Sequence, residues 1–93
     1  MLLLTQANRA ALPALGTQEQ AGEQAIVHVK FFDPTGSWTW YATEFDGDDT
    51  FFGLVDGQEE ELGYFSLTEL RSVRGRMGLG IERGSVVAPV PVG

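Results

Sequence analysis

Between Gln24 and Phe65 the chain repeats one pattern, and that pattern limits the fold more than any other feature. A short run of β-branched and aromatic residues is followed each time by a tight cluster of Asp, Gly, Pro or Ser. The runs are "QAIVHVKFF" (Gln24–Phe32), "WTWYATEF" (Trp38–Phe45), "TFFGLV" (Thr50–Val55) and "ELGYF" (Glu61–Phe65). Residues of this kind favour the pleated, half-buried surface of a strand. The separators "DPTGS", "DGDD" and "DGQEE" reverse the backbone, because Asp closes local hydrogen bonds, Pro presets φ and Gly accepts positive φ. The spacing predicts an antiparallel meander of four strands. In the first run Val27, Val29 and Phe31 share a purely apolar face, which is expected to look inward. In the second, Trp38, Trp40, Ala42 and Glu44 fall on one side and Thr39, Tyr41, Thr43 and Phe45 on the other.

The flanks change period. Thr5 is placed to cap a short helix running to Leu12, with Leu4, Ala7, Ala11 and Leu12 as a narrow apolar stripe and Pro13 as its stop. "GTQEQAG", Gly16–Gly22, reads as a loop. After the fourth strand, Ser66 followed three residues later by Glu69 is a capping-box pattern. Leu67, Leu70 and Val73 then make one buried helical face, with Gly75 as terminator. "RGRMGLG" is a connector, "IER" a brief return strand, and "GSVVAPVPVG" a tail that is either an edge strand or disordered. The expectation is one α+β domain, a small antiparallel four-stranded meander with one or two short helices packed on it. Residues 1–23 are its amino-terminal helix and loop, 24–83 its core and 84–93 its tail.

With 93 residues, 43% of them hydrophobic and 20% charged, the chain can bury one modest core. No cysteine is present, so disulfides, thiolate metal sites and cysteine nucleophiles are excluded. The opening "MLLLTQ" lacks the basic start of a signal peptide, and no apolar run reaches the ~18–20 residues of a membrane span; a cytoplasmic protein is expected. The formal charge of −7 disfavours general attraction to nucleic acid or anionic membranes. It is unevenly spread: ten acids and no Lys or Arg lie between Phe31 and Leu70, and four of the six bases follow as Arg71, Arg74, Arg76 and Arg83.

Several side-chain constellations invite chemistry. "TEFDGDDTFF" holds four carboxylates, yet read as a calcium loop from Asp46 it places Thr50, Phe51 and Gly57 where a ligand, a glycine and a glutamate are required. It reads as a hairpin turn, without a metal. Glu44 and Glu61 are possible cross-strand neighbours, but paired-carboxylate hydrolysis needs a cleft. His28, the single histidine, reads as a solvated strand residue, leaving Ser and Thr without an obvious base. Gly75, Gly78 and Gly80 lack the Lys and the context of a phosphate loop. Arg71, Arg74, Arg76 and Arg83 are candidates for an anion or nucleic-acid contact.

The aromatic residues are too many for one face of a small sheet. One apolar face is therefore left for a partner, or helices cover both. The expected interface is a solvent-facing strip of Trp38, Trp40 and Phe52, rimmed by Glu44, Asp46, Asp48 and Asp49. This favours a non-catalytic, acidic protein-interaction module without cofactor, with self-association as a variant. The alternative is nucleic-acid binding through the arginines, and a small hydrolase ranks third.

At "WTWYATEFDGDDTFFGLV" and "ELGYFSLTELRSVRGRMGLGIER" the chain resembles a family of small bacterial proteins known only as a domain of unknown function, DUF2958. The likeness runs from about Val29 to Arg83, and the amino-terminal segment also looks like the family's usual start. Where that family often continues with "IERD" and a basic tail, this chain has "IERGSVVAPVPVG". Members tend to sit on plasmids, phages and integrating elements, sometimes near antirestriction genes. The resemblance thus implies a mobile-element accessory or anti-defence role and brings no catalytic residues.

Overall fold

In the computed structural model, which describes residues 3–74, 78–84 and 90–92, the meander is present and a further strand extends it. The elements are α1 (Gln6–Ala11), a pair of 3-10 turns (Glu19–Gln24), β1 (Ile26–Val27), β2 (Val29–Phe32), β3 (Thr39–Phe45), β4 (Thr50–Asp56), β5 (Glu60–Ser66), α2 (Leu67–Ser72), β6 (Glu82–Gly84) and β7 (Val90–Pro91). The main sheet has the order β5-β4-β3-β2-β6 with antiparallel pairing throughout, and β1 pairs with β7 in a separate ribbon. The fold is α+β.

Both helix starts follow from their caps. Thr5 Oγ1 accepts from the Asn8 amide at 3.1 Å while Asn8 Oδ1 accepts from the Thr5 amide at 3.0 Å. Ser66 Oγ accepts from the Glu69 amide at 2.9 Å. α1 itself buries no residue; Leu4 and Leu12, which flank it, enter the core, whereas Ala7 and Ala11 stay exposed. α2 buries Leu67 and Leu70 as expected but ends at Ser72, where Val73 turns extended (ψ 133°), before Gly75 is reached.

The helices and the amino-terminal leucines close one sheet face. Phe51 sits at its centre, 4.5 Å from Phe45, 5.2 Å from Phe65 and 5.4 Å from Phe31 between ring centroids. Val29, Phe31, Trp40, Ala42, Leu67 and Leu70 complete the packing. Burying one such ring contributes roughly 1.5–3 kcal/mol.

Two expectations need correction. The run Gln24–Phe32 is not one strand: at His28 the chain passes from the β1–β7 ribbon into the main sheet, although the His28 amide still donates to Ala42 O at 2.9 Å. The alternation of β3 breaks at a bulge between Ala42 and Glu44, which moves Glu44 to the face opposite Trp40 and brings Phe45 onto the core face. Of the two readings of the tail, Val90–Pro91 take that of a strand, since β7 pairs with β1, and Leu3, Leu4 and Leu12 of the amino-terminal segment lie in the core. The rest of the expected tail, residues 85–89 and 93, lies outside the described residues.

Candidate interaction surface

The expected aromatic strip does not exist as one face. Trp40 is buried against Phe31 and Val55 on the core side, because its cross-strand partners point there. Trp38 remains 42% exposed, its ring 6.0 Å from Trp40 and lying over Gly57. Phe52 is on the opposite face, in edge contact with Tyr64 at 5.0 Å.

Glu44 is no rim residue either. It is 2% exposed, with Oε1 accepting from the Gly16 amide at 2.8 Å and Oε2 from the Gln18 amide at 2.6 Å. The Gln18 side chain continues this clamp: its Nε2 donates to Thr43 O at 2.8 Å and its Oε1 accepts from the Ile26 amide at 2.7 Å. A buried carboxylate is tolerable here because charge-assisted hydrogen bonds replace its water. Glu61 pairs with Val55 and so points to the core side of the sheet, away from Glu44; the two carboxylates do not converge.

The acidic stretch is the hairpin turn between β3 and β4. Asp46 Oδ1 accepts from the amides of Asp48, Asp49 and Thr50 at 2.8, 2.9 and 3.1 Å, and Gly47 takes φ 89°. The Asp48 amide bond first, then that of Thr50, holds the Asp46 carboxyl below its ordinary value of 3.8. Asp49 Oδ1 accepts from the Thr68 amide and hydroxyl at 2.9 and 2.8 Å, tying the turn to α2. Two of the three aspartates thus spend acceptors on the backbone.

Of the arginines, Arg71 and Arg74 line a shallow cavity of about 260 Å³ with Leu3, Leu70, Gly80 and Ile81. Arg74 Nη1 donates to Arg71 O and Val73 O, closing the end of α2. Arg83 stands in β6 opposite Phe31, on the core side, and Arg76 lies outside the described residues. His28 is half-buried, and desolvation lowers its pKa from 6.5.

What the sequence reading missed is the outer face of β4 and β5. Leu54 pairs with Leu62 and Phe52 with Tyr64, and Tyr41 lies beside Leu54 under the Lys30 ammonium, 5.9 Å away. Leu62 is 50% and Tyr64 70% exposed. The signal was available: once Phe65 is assigned to the core, period two turns Tyr64 and Leu62 outward. Acids border this surface. A cavity of about 340 Å³ is lined by Glu23, Leu54, Glu60, Leu62 and Val92, and a smaller one of about 80 Å³ by Gly16, Glu19, Glu44, Phe52 and Tyr64. The arrangement sets exposed apolar side chains beside carboxylates at the β5 side, with the Lys30 ammonium over Tyr41 further along the sheet.

Among the described residues no helix is long and apolar enough to cross a membrane, and no His, Cys, Asp and Glu group has the geometry of a metal site. No curated protein and no solved structure is a match for the chain. The family model described as "Protein of unknown function (DUF2958)" matches residues 3–90. Spanning nearly all of the sheet and both helices, that match establishes that the chain belongs to the DUF2958 family.

Proposed function

We propose that this protein is a non-catalytic, acidic interaction module that takes hold of a partner protein through the outer face of β4 and β5. The observation that carries this reading is the exposure of Leu62 and Tyr64, at 50% and 70%, on the sheet face opposite α2 and the amino-terminal leucines, where the segment 16–24 covers Glu44 and leaves these two side chains open. Isolated exposed apolar residues are ordinary, but here two lie in one strand and continue into Leu54 and Phe52. The net charge of −7 and the bordering Glu19, Glu23 and Glu60 favour a partner surface that is basic. As part of the same proposal, and resting on the family resemblance alone, the module acts in the bacterial cytoplasm as an accessory of a mobile element. Its partner there is a host-defence or DNA-handling protein whose basic groove the acids occupy.

The test compares affinity capture from bacterial lysate by the native chain, by Leu62→Ser/Tyr64→Ser and by Arg71→Ala/Arg74→Ala, with circular dichroism as the fold control. Loss of the captured set in the first variant alone supports the reading. Retention there, with loss in the arginine variant, moves the surface to the end of α2 and overturns it.

A further inference from the structure

We propose that β5 is a docking edge at which an extended, cationic peptide segment adds as a further strand of the main sheet. This rests on the interaction reading above and specifies the ligand class and the binding geometry.

β5 ends the sheet order, and among the described residues no strand pairs with its other side. Edge strands are ordinarily short, bulged or interrupted by proline, because every second residue turns its N–H and C=O outward as a template for pairing. β5 departs from that rule. It pairs with β4 over seven residues without a register slip, contains no proline, and carries exposed Leu62 and Tyr64. Among the described residues its guard is charge, in Glu60 and Glu61 and in Glu59 just before the strand, all exposed.

That guard selects. It repels a second copy of a chain of net charge −7 and attracts lysine and arginine. Cavities flank the edge on both faces. On the core side, beyond the helices, one of about 360 Å³ is lined by Trp38, Val55, Gln58, Glu59 and Glu61. On the outer side lies the cavity of about 340 Å³ with Glu23, Glu60 and Leu62. Further along β5, Gly63 leaves open space, with nothing within 4 Å of where its Cβ would stand. Successive side chains of an added strand alternate between these two faces. Each cavity joins an apolar wall to carboxylates, which suits a long cationic side chain: the stem packs on Trp38 or Leu62 and the head meets glutamate. Both volumes are near the lower end of the ~300–1,000 Å³ typical of small-molecule sites, so single side chains fit better than a cofactor. In strand addition the main chain supplies affinity and the alternate cavities supply specificity.

The test uses an acetylated, amidated heptapeptide alternating lysine or arginine with valine, titrated into the isotopically labelled chain and followed by amide NMR shifts. Two further peptides carry N-methyl groups on the odd or on the even residues, and heptalysine serves as the charge control. Strand addition predicts shifts concentrated on Glu60–Ser66, binding lost with one methylation phase and kept with the other, and weaker binding of heptalysine. Glu60→Lys/Glu61→Lys, both at exposed positions, weakens the parent peptide at least about tenfold. Equal binding of both methylated peptides with shifts at Leu62 and Tyr64 overturns strand addition while the outer-face reading stands. Absence of any binding by the parent peptide at millimolar concentration also overturns it, and leaves the lysate capture to decide the wider reading. A dimer in sedimentation that is abolished by the same charge reversal overturns it too, since the occupant is then a second copy.

Discussion

Glu44 shows how one side chain can change its meaning once its surroundings are known. In the sequence it is one of four carboxylates in an acidic run; in the fold it is the acceptor that binds the Gly16 and Gln18 amides, 28 and 26 residues away. Its replacement by alanine leaves two amides facing a void and is expected to cost about 2–4 kcal/mol, read from urea denaturation, whereas glutamine keeps one acceptor and costs less. Asp46, exposed on the surface, gives a different prediction. Its folded carboxyl titrates below 3.8 because three amides stabilise the charged form. Above that pH the stabilisation is fully present. As pH falls through 3.8 towards the folded value, the unfolded chain takes up the proton first and the stabilisation is lost. Melting temperatures of the native chain and Asp46→Asn are therefore expected to differ at pH 6 and converge towards pH 2.

At the scale of elements, hairpin quality depends on what the glycines allow. Gly53 in β4 has no room for a side chain: a Cβ there stands 1.8 Å from Tyr41 O, a fixed backbone atom of the neighbouring strand. At Gly57, in the β4–β5 turn, a Cβ meets the Trp38 ring at 2.5 Å, but that ring is 42% exposed and can swing away. Gly53→Ala is thus expected to disrupt the β3–β4 pairing, with a loss of about 3 kcal/mol or more in chemical denaturation. Gly57→Ala costs about 1 kcal/mol or less and shifts the tryptophan emission. All three hairpins and both helix caps were legible in the sequence, because Asp-Pro-Thr-Gly, Asp-Gly-Asp-Asp, Asp-Gly-Gln-Glu-Glu, Thr5 and the Ser66/Glu69 spacing act within a few residues. The helix end at Ser72 was not, because Val73 already turns extended there; the expected terminator, Gly75, lies outside the described residues.

Over the whole molecule the two sheet faces differ in burial. The core face holds Phe51 and its three neighbouring rings under α2 and the amino-terminal leucines. Phe51→Ala is expected to lose about 3–5 kcal/mol, enough to unfold a domain of this size. Leu62 and Tyr64 are exposed, so Leu62→Ser/Tyr64→Ser is expected to leave stability within about 1 kcal/mol and, on the proposed function, to abolish capture of a partner, a separation that denaturation and capture measured on one preparation will show. Buried and exposed positions thus use the same kinds of residue, and the sheet face decides which of them meet solvent.

Everything closed by near neighbours was determined by the sequence alone: the runs that extend, the turns that reverse them, the caps at Thr5 and Ser66, and the inward face of Val27, Val29 and Phe31. The tertiary structure alone decided the bulge after Ala42, the passage between sheets at His28, the placing of β6 beside β2, and hence which aromatic rings meet solvent. The reason is one of range. A turn or a cap is settled by hydrogen bonds across three or four residues, whereas strand phase and sheet order are settled by packing between segments distant in the chain. In a sheet of period two, a single extra residue at Thr43 is enough to exchange inside for outside.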